Sequence, residues 1–375
     1  MKLIVNIARI IVGGLFVFSG LVKAIDPLGL SYKMQEFFEV WAADNYLPSL
    51  MNWLHGHSYL FSVIMITLEV VVGVALLIGW KKKLTLSILL LLILFFTFLT
   101  SYVLFSGKIR ACGCFGDCIP LTPIQTFTKD IILLLLVLLL LVKQKYILPL
   151  FSNVVSSVII LIALAGTVYL QMYVAKHLPI KDCLPYKAGN DILKLREMPD
   201  GAIPDKFEYL FTYKKGGQQK DFTTDQLPDS TWEFVDRKQT LVQKGVNNIP
   251  LINDFSLTDS TGADVTETIL SQEGTYYLLF IKDMDSYAYS DNDIKLIEHA
   301  RSKKIPLYIV TSQATNIKAY FDSKNISKIT SLEILTADAT AIKTAARVNS
   351  TLFVMKGPVV QLKLSYADFD KILIK

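Results

Sequence analysis

The stretch KKKLTLSILLLLILFFTFLTSYVLFSGKIRACGCFGDC, residues 81–118, decides the architecture. Between Lys83 and Lys108 it carries no charged side chain. A spanning helix needs about 20 mainly apolar residues, because lipid leaves every backbone polar group to be satisfied within the segment. The run from Leu84 to Phe105 meets that need. Three lysines precede it, and a loop with Cys112, Cys114 and Cys118 follows it.

Working outward, four more segments have the same character: Leu3–Ile25, Tyr59–Trp80, Thr122–Val142 and Ile147–Ala175. The first lacks a small-residue cleavage site behind it and reads as a retained anchor. Lys81-Lys82-Lys83, Lys143 with Lys145, and Lys2 with Arg9 mark short basic loops, which stay in the cytoplasm. The expected topology is therefore an inner-membrane protein with a cytoplasmic N-terminus. Residues 26–58, the cysteine loop and everything after residue 176 lie outside, the last as a periplasmic domain. Trp41, Tyr46, Trp53 and Tyr59 in the first outer loop fit an aromatic belt at the lipid interface.

Charge divides the chain in two. Residues 1–175 hold 12 Lys+Arg and 7 Asp+Glu, whereas residues 176–375 hold 26 of each. The surplus of +5 thus belongs to membrane loops and serves topology, not nucleic-acid binding. The lipid bilayer is the first partner.

All four cysteines, Cys112, Cys114, Cys118 and Cys183, fall on the expected outer side, where thiols form and exchange disulfides. A disulfide across Cys112-Gly-Cys114 closes a very small ring of the labile, oxidising kind. Cys118 is near enough in sequence to resolve a mixed disulfide. Thr122-Pro123-Ile-Gln125 predicts a capping box that opens the fourth spanning helix just below the loop. The dipole of that helix, with Lys108 and Arg110, favours a thiolate there. Three chemistries share this pattern: structural bridges, exchangeable redox thiols and a thiolate metal site. The last lacks the paired C-x-x-C spacing zinc takes. His55 and His57 in the facing loop read as solvated. Arg9, Lys23, Glu69 and Asp130 lie inside spans, where ionisable groups are costly and are paired or functional. Arg9 is expected to reach Glu69, and Lys23 either meets Asp130 or snorkels to the interface.

Several of these residues resemble a known family. Arg9, Ser19-Gly20-Leu-Val-Lys23, Asp26-Pro27-Leu-Gly29 and Tyr32-Lys33 are similar to the opening of DoxX-like proteins, as is Glu69-Val-Val-Val-Gly73. Cys112-Gly-Cys114-Phe-Gly116 resembles the MauE, methylamine-utilisation branch. The full layout, with Cys183-Leu-Pro185-Tyr-Lys187 after a fifth span, resembles a Bacteroidota group with an exported C-terminal domain. The resemblance implies a four-helix bundle like that of vitamin K epoxide reductase. It also implies thiol–disulfide chemistry serving an exported partner, with a quinone as the acceptor it admits.

The second half reads as a β-rich connector over residues 183–247, with a hairpin around Gly216-Gly217, and then an α/β domain over 248–375. A β-α-β unit followed by a β-hairpin and a helix is similar to the thioredoxin fold. Asp338, Lys343 and Arg347-Val-Asn349 resemble its TlpA-like members. Where an active thioredoxin has C-x-x-C, this chain has Lys282-Asp-Met-Asp-Ser-Tyr287, and Ser350 replaces the usual proline. The expected whole is thus a four-helix membrane domain (1–145), a fifth helix with tether (146–182), the connector, and a redox-inert thioredoxin-like domain. Two functions remain open at this point: a thiol–disulfide oxidoreductase acting through Cys112, Cys114, Cys118 and Cys183, or a scaffold with permanent bridges whose exported half docks a partner.

Overall fold

The computed structural model describes residues 1–109, 113, 116–243, 245–284, 287, 291–323 and 332–373. Its membrane part runs α1 (Lys2–Ala24), α2 (Pro27–Ala43), α3 (Pro48–Gly56), α4 (Ser58–Ile78), α5 (Lys82–Ser106), α6 (Pro123–Val142) and α7 (Asn153–His177). Five of these, α1, α4, α5, α6 and α7, are long and apolar enough to cross a membrane, as the hydropathy pattern predicts. The chain is a multi-pass membrane protein. Each new span reverses direction, so one end of the bundle gathers the lysine turns and the other Cys118 and Cys183.

The first long loop departs from the sequence expectation, since residues 26–58 form two helices. Asp26 caps α2 by accepting the Gly29 N–H, and Pro27 occupies the first helical position. Met34, Phe37 and Phe38 on α2 are buried in the bundle core with Phe16, Ile66, Leu89 and Leu99. Trp41 stacks edge-on against Tyr102 and beside Phe37. Tyr46 and Trp53 stay exposed.

Three glycines set how closely α1 and α4 cross. A Cβ on Gly73 would lie 2.9 Å from the Gly13 carbonyl and from the Val17 backbone, and one on Gly20 would lie 2.5 Å from Val70. Such close approach is how helices associate in lipid, where hydrophobic burial no longer discriminates. The fifth span, α7, packs on α4 through Ile160 against Ala75 and Ile78. Gln171 on α7 also donates to Thr67 at 3.0 Å.

Beyond α7 lies an α/β region with two sheets. The small one, β1 (Lys206–Lys215), β2 (Gln218–Thr223) and β3 (Glu233–Gln243), is antiparallel in the order β2-β1-β3, with the Gly216-Gly217 turn as read from sequence. The larger contains β4 (Thr275–Phe280), β5 (Leu307–Thr311), β6 (Glu333–Thr336), β7 (Thr351–Lys356) and β8 (Val359–Ser365), ordered β6-β5-β4-β7-β8. β4, β5 and β6 run parallel, and β7 and β8 join antiparallel. β4 is buried from Tyr276 onward, with apolar cores on both faces of the sheet. Helices α10 (Asp291–Ser302), α11 (Ala314–Ser323) and α12 (Ala339–Ala345) connect the strands, and α13 (Asp370–Leu373) closes the chain. Two short helices, α8 (Ile192–Arg196) and α9 (Thr266–Leu270), precede β4.

Part of the segment expected as connector packs against the larger sheet. Tyr186 and Ile192 are buried in the same core as Phe255 and Phe280, and Ile192 donates its N–H to the Pro358 carbonyl. Apolar side chains, not chain order, draw residues 184–196 into the C-terminal domain. The small sheet is an excursion from it.

The α1–α4 crossing yields a test. Gly73→Leu is expected to cost about 1–3 kcal/mol by overpacking. Gly14→Ala, whose Cβ meets nothing within 4 Å, should fall within about 0.5 kcal/mol of the parent. Thermal unfolding of the detergent-purified protein distinguishes them, and equal midpoints would contradict the close crossing.

Candidate functional site

At the lysine end, Arg9 does not meet Glu69 as expected. Its guanidinium donates to the carbonyls of Leu76 at 2.8 Å, Leu77 at 2.6 Å and Leu148 at 3.0 Å. The first two lie in the last turn of α4, where Leu76 also accepts the Gly79 N–H. Arg9 is therefore a buried cap that ties α1 to α4 and to the turn before α7. Gly79 makes room for it, because a Cβ there would sit 2.6 Å from the Leu148 carbonyl.

Deeper in the bundle, Lys23 neither snorkels nor meets Asp130. Its ammonium donates to both Glu69 oxygens at 2.6 and 2.8 Å and lies 4.5 Å from the Phe96 ring centre. Asp130 pairs with Lys129 at 2.7 Å and accepts from Thr100 at 3.1 Å. Lys23, Glu69, Lys129, Asp130 and Ser19 line one cavity of about 20 Å³, enough for a single water. Three of the four sequence-selected intramembrane charges thus share one neutral cluster, with different partners. Span depth puts charges at similar levels, whereas helix rotation chooses who faces whom.

At the cysteine end, the predicted capping box is present: Thr122 accepts from the Gln125 N–H and Gln125 accepts from the Thr122 N–H. A 3-10 turn, Gly116–Cys118, precedes it, and Cys118 is disulfide-bonded to Cys183 with Cα atoms 4.9 Å apart. Of the pairings left open, this one joins the loop before α6 to the segment after α7. Cys112 and Cys114, the expected working pair, lie outside the described residues, as does Arg110. Gly113 sits over α2, where a Cβ would meet Lys33 at 3.3 Å. Lys108, expected to favour a thiolate, commits its ammonium to Asp44. His55 pairs with Glu39 and His57 with the Trp53 carbonyl.

The C-terminal domain docks on this end. Arg347, after α12 and only 6% exposed, donates to Asp26 at 3.0 Å and to Asp117 at 2.8 Å, with its guanidinium 5.4 Å from the Tyr32 ring centre. Lys282, two residues beyond β4, donates to the Tyr32 hydroxyl at 3.0 Å and to the Arg347 carbonyl at 2.9 Å. Lys363 on β8 pairs with Asp182, and His177 with Asp368. Sequence reading selected Arg347 only as a fold marker and passed over Asp117 and Asp182. Their signal is position, since each immediately precedes a bridged cysteine. Burial, with Arg347 alongside, lowers Lys282 to about 8, and burial raises the Tyr32 phenol to about 12. The Asp26 carboxyl is raised by burial, against the pull of Arg347.

Two predictions follow from these contacts. Lys23→Met or Glu69→Leu alone should cost about 3–5 kcal/mol by stranding the other charge, while the double variant recovers most of it. A thermal-unfolding double-mutant cycle measures this, and additive losses would disprove the pairing. The docked Lys282 sheds its proton near 8, whereas a released lysine keeps it to about 10.5. The released state binds more protons between those values, so docking is flat below about 8 and strengthens as pH rises from about 8 to about 10, above which the raised Tyr32 phenol opposes it. Protease resistance of the joint against pH tests it, and Lys282→Met should abolish the slope.

Comparison with known proteins adds to this geometry. Residues 207–244, most of the small sheet, match a domain of unknown function, DUF8463. The chain is 43% identical over 75 residues to Protein TlpB of Flavobacterium psychrophilum, covering 19% of this chain and 20% of that protein. It thus spans about a fifth of the length of that curated relative. No solved structure matches. The α1–α6 bundle coincides with a family match described as methylamine utilisation protein MauE. That match spans residues 1–143 of the 375, the membrane part of the chain.

Proposed function

We propose that the protein takes part in thiol–disulfide chemistry, or the disulfide maturation of exported partners, at the outer face of the inner membrane. The N-terminus is then cytoplasmic and the C-terminal domain periplasmic. The observation that carries this reading is the Cys118–Cys183 disulfide, formed at the end of the bundle opposite the lysine turns. The basic short loops support the orientation, and the MauE match and the likeness to TlpB support the chemistry.

Cys112 and Cys114 are the working pair in this reading. A thiolate of an exported dithiol attacks their disulfide and forms a mixed disulfide; the partner's second thiolate then displaces the remaining sulfur. The partner gains a disulfide and the chain is left with two thiols. A membrane quinone is the class of acceptor the family resemblance admits for returning them to the oxidised state. The C-terminal domain takes no electrons itself. The order β6-β5-β4-β7-β8 supports a thioredoxin-like fold, and the segment after β4 has no cysteine at Lys282–Tyr287. Its part is to orient or cover.

A second reading, a scaffold with permanent bridges, draws on the ion pairs that lock the C-terminal domain beside the Cys118–Cys183 bridge. Maleimide trapping under graded reductant separates the two, since permanent bridges resist mild reductant. In the redox reading, Cys114→Ser leaves a lone Cys112 thiolate that attacks the disulfide of an oxidised exported partner and expels the partner's other sulfur as a thiolate. The mixed disulfide is left unresolved, visible as reductant-sensitive adducts of exported proteins. Adducts should be absent in Cys112→Ser. An unchanged adduct pattern in both variants defeats the redox reading.

A further inference from the structure

The two bridged cysteines share a feature that neither MauE-type chemistry nor membrane insertion requires. Asp117 immediately precedes Cys118, and Asp182 immediately precedes Cys183. Both carboxylates hold the C-terminal domain: Asp117 accepts from Arg347 at 2.8 Å and Asp182 from Lys363 at 2.6 Å. Asp117 belongs to the loop between α5 and α6, and Asp182 to the tether after α7. The two cysteines lie 65 residues apart in sequence, and the disulfide holds their own Cα atoms, those of Cys118 and Cys183, 4.9 Å apart. The bridge therefore fixes the two carboxylates as one acidic pair.

The opposing face has matching chemistry. Arg347 forks between Asp26 and Asp117 while lying against the Tyr32 ring, a geometry a guanidinium achieves and an ammonium does not. Lys363 supplies the second cation. Lys282 and Lys343 complete a basic rim around Tyr32, each 5.8 Å from its ring centre.

We propose that the membrane domain carries a disulfide-assembled docking surface, formed by Asp26, Tyr32, Asp117 and Asp182, whose occupant is the basic face of this chain's own C-terminal domain. A protein dithiol that reduces Cys118–Cys183 releases that domain. In the exchange, one thiolate of the dithiol attacks a bridged sulfur and forms a mixed disulfide, expelling the other cysteine as a thiolate. The second thiol then closes on the first. The dithiol is oxidised to a disulfide, the bridge is reduced to two thiols, and the two protons of the dithiol end on Cys118 and Cys183. With the bridge open, Asp117 and Asp182 are no longer held at one spacing. Seating Arg347 and Lys363 together then requires ordering two independent segments, an entropic cost the disulfide otherwise removes. The domain remains tethered through residues 178–183, so release uncovers Tyr32 and the turn beside the cysteine loop without loss of the domain. This proposal rests on the thiol–disulfide reading only for the identity of the reductant.

Amide hydrogen exchange on the full-length protein in lipid nanodiscs tests it, with a water-soluble phosphine as the reductant. On reduction, residues 27–33 and 341–349 are expected to exchange at least roughly fivefold faster, while β4 keeps its protection. Cys118→Ser with Cys183→Ser should behave like the reduced protein. Asp117→Asn with Asp182→Asn should reproduce the faster exchange with the bridge intact, and this second variant decides the matter if the cysteine variant loses protection throughout. Unchanged exchange at both segments, with Cys118 and Cys183 shown by thiol labelling to be reduced, overturns the proposal. So does unchanged exchange in the double asparagine variant. Loss of partner trapping in Cys114→Ser would instead strike the redox reading and leave this docking result standing.

Discussion

The Lys23–Glu69 pair, 2.6 Å apart between α1 and α4, is the interaction around which the bundle is arranged. Neither charge is tolerable alone among apolar side chains, so the two helices are held at the rotation that lets them meet. Gly13, Gly20 and Gly73 permit the close approach this demands. Once that crossing is set, α6 brings Lys129 and Asp130 to the same small cavity, and Thr100 on α5 completes the cluster. Arg9 then seals the far end of α4 by donating to the Leu76 and Leu77 carbonyls.

The same logic of compensated charge operates at the cysteine end, with different materials. There the charges belong to separate domains, and Arg347, Lys282 and Lys363 meet Asp26, Tyr32, Asp117 and Asp182. Burial makes each contact depend on the others. Lys282 is brought to about 8 by the site it helps to close. The disulfide lies within this arrangement, joining the loop that supplies Asp117 to the tether that supplies Asp182. Covalent and electrostatic links between the two halves thus converge on one small region, directly above the helix that the Thr122 capping box opens.

Much of the fold is legible from local pattern. Five apolar runs bounded by lysines mark the spans because hydropathy needs no partner to be read. In the larger sheet, β4-α10-β5 followed by the β7–β8 hairpin and a closing helix keeps the order of elements expected from the sequence. The turn at Gly216-Gly217 and the cap at Thr122 are legible for the same reason, each being satisfied within a few residues. Helix α2 is hidden from a hydropathy reading, because its burial rests on Phe37 and Phe38 packing against distant spans and not on a long apolar run. Tyr186 and Ile192 likewise join a core whose other members lie far along the chain.

By itself the sequence determined which segments cross the membrane, that four cysteines lie in two segments at one end, and which ionisable groups are buried in spans. Those are properties of composition and order along one dimension. Only the tertiary structure decided that Lys23 takes Glu69, that Arg9 caps carbonyls, that Cys118 takes Cys183, and that Arg347 seats the C-terminal domain on Tyr32. The physical reason is that a pairing depends on helix rotation and on the approach of segments tens to hundreds of residues apart. No local period records either.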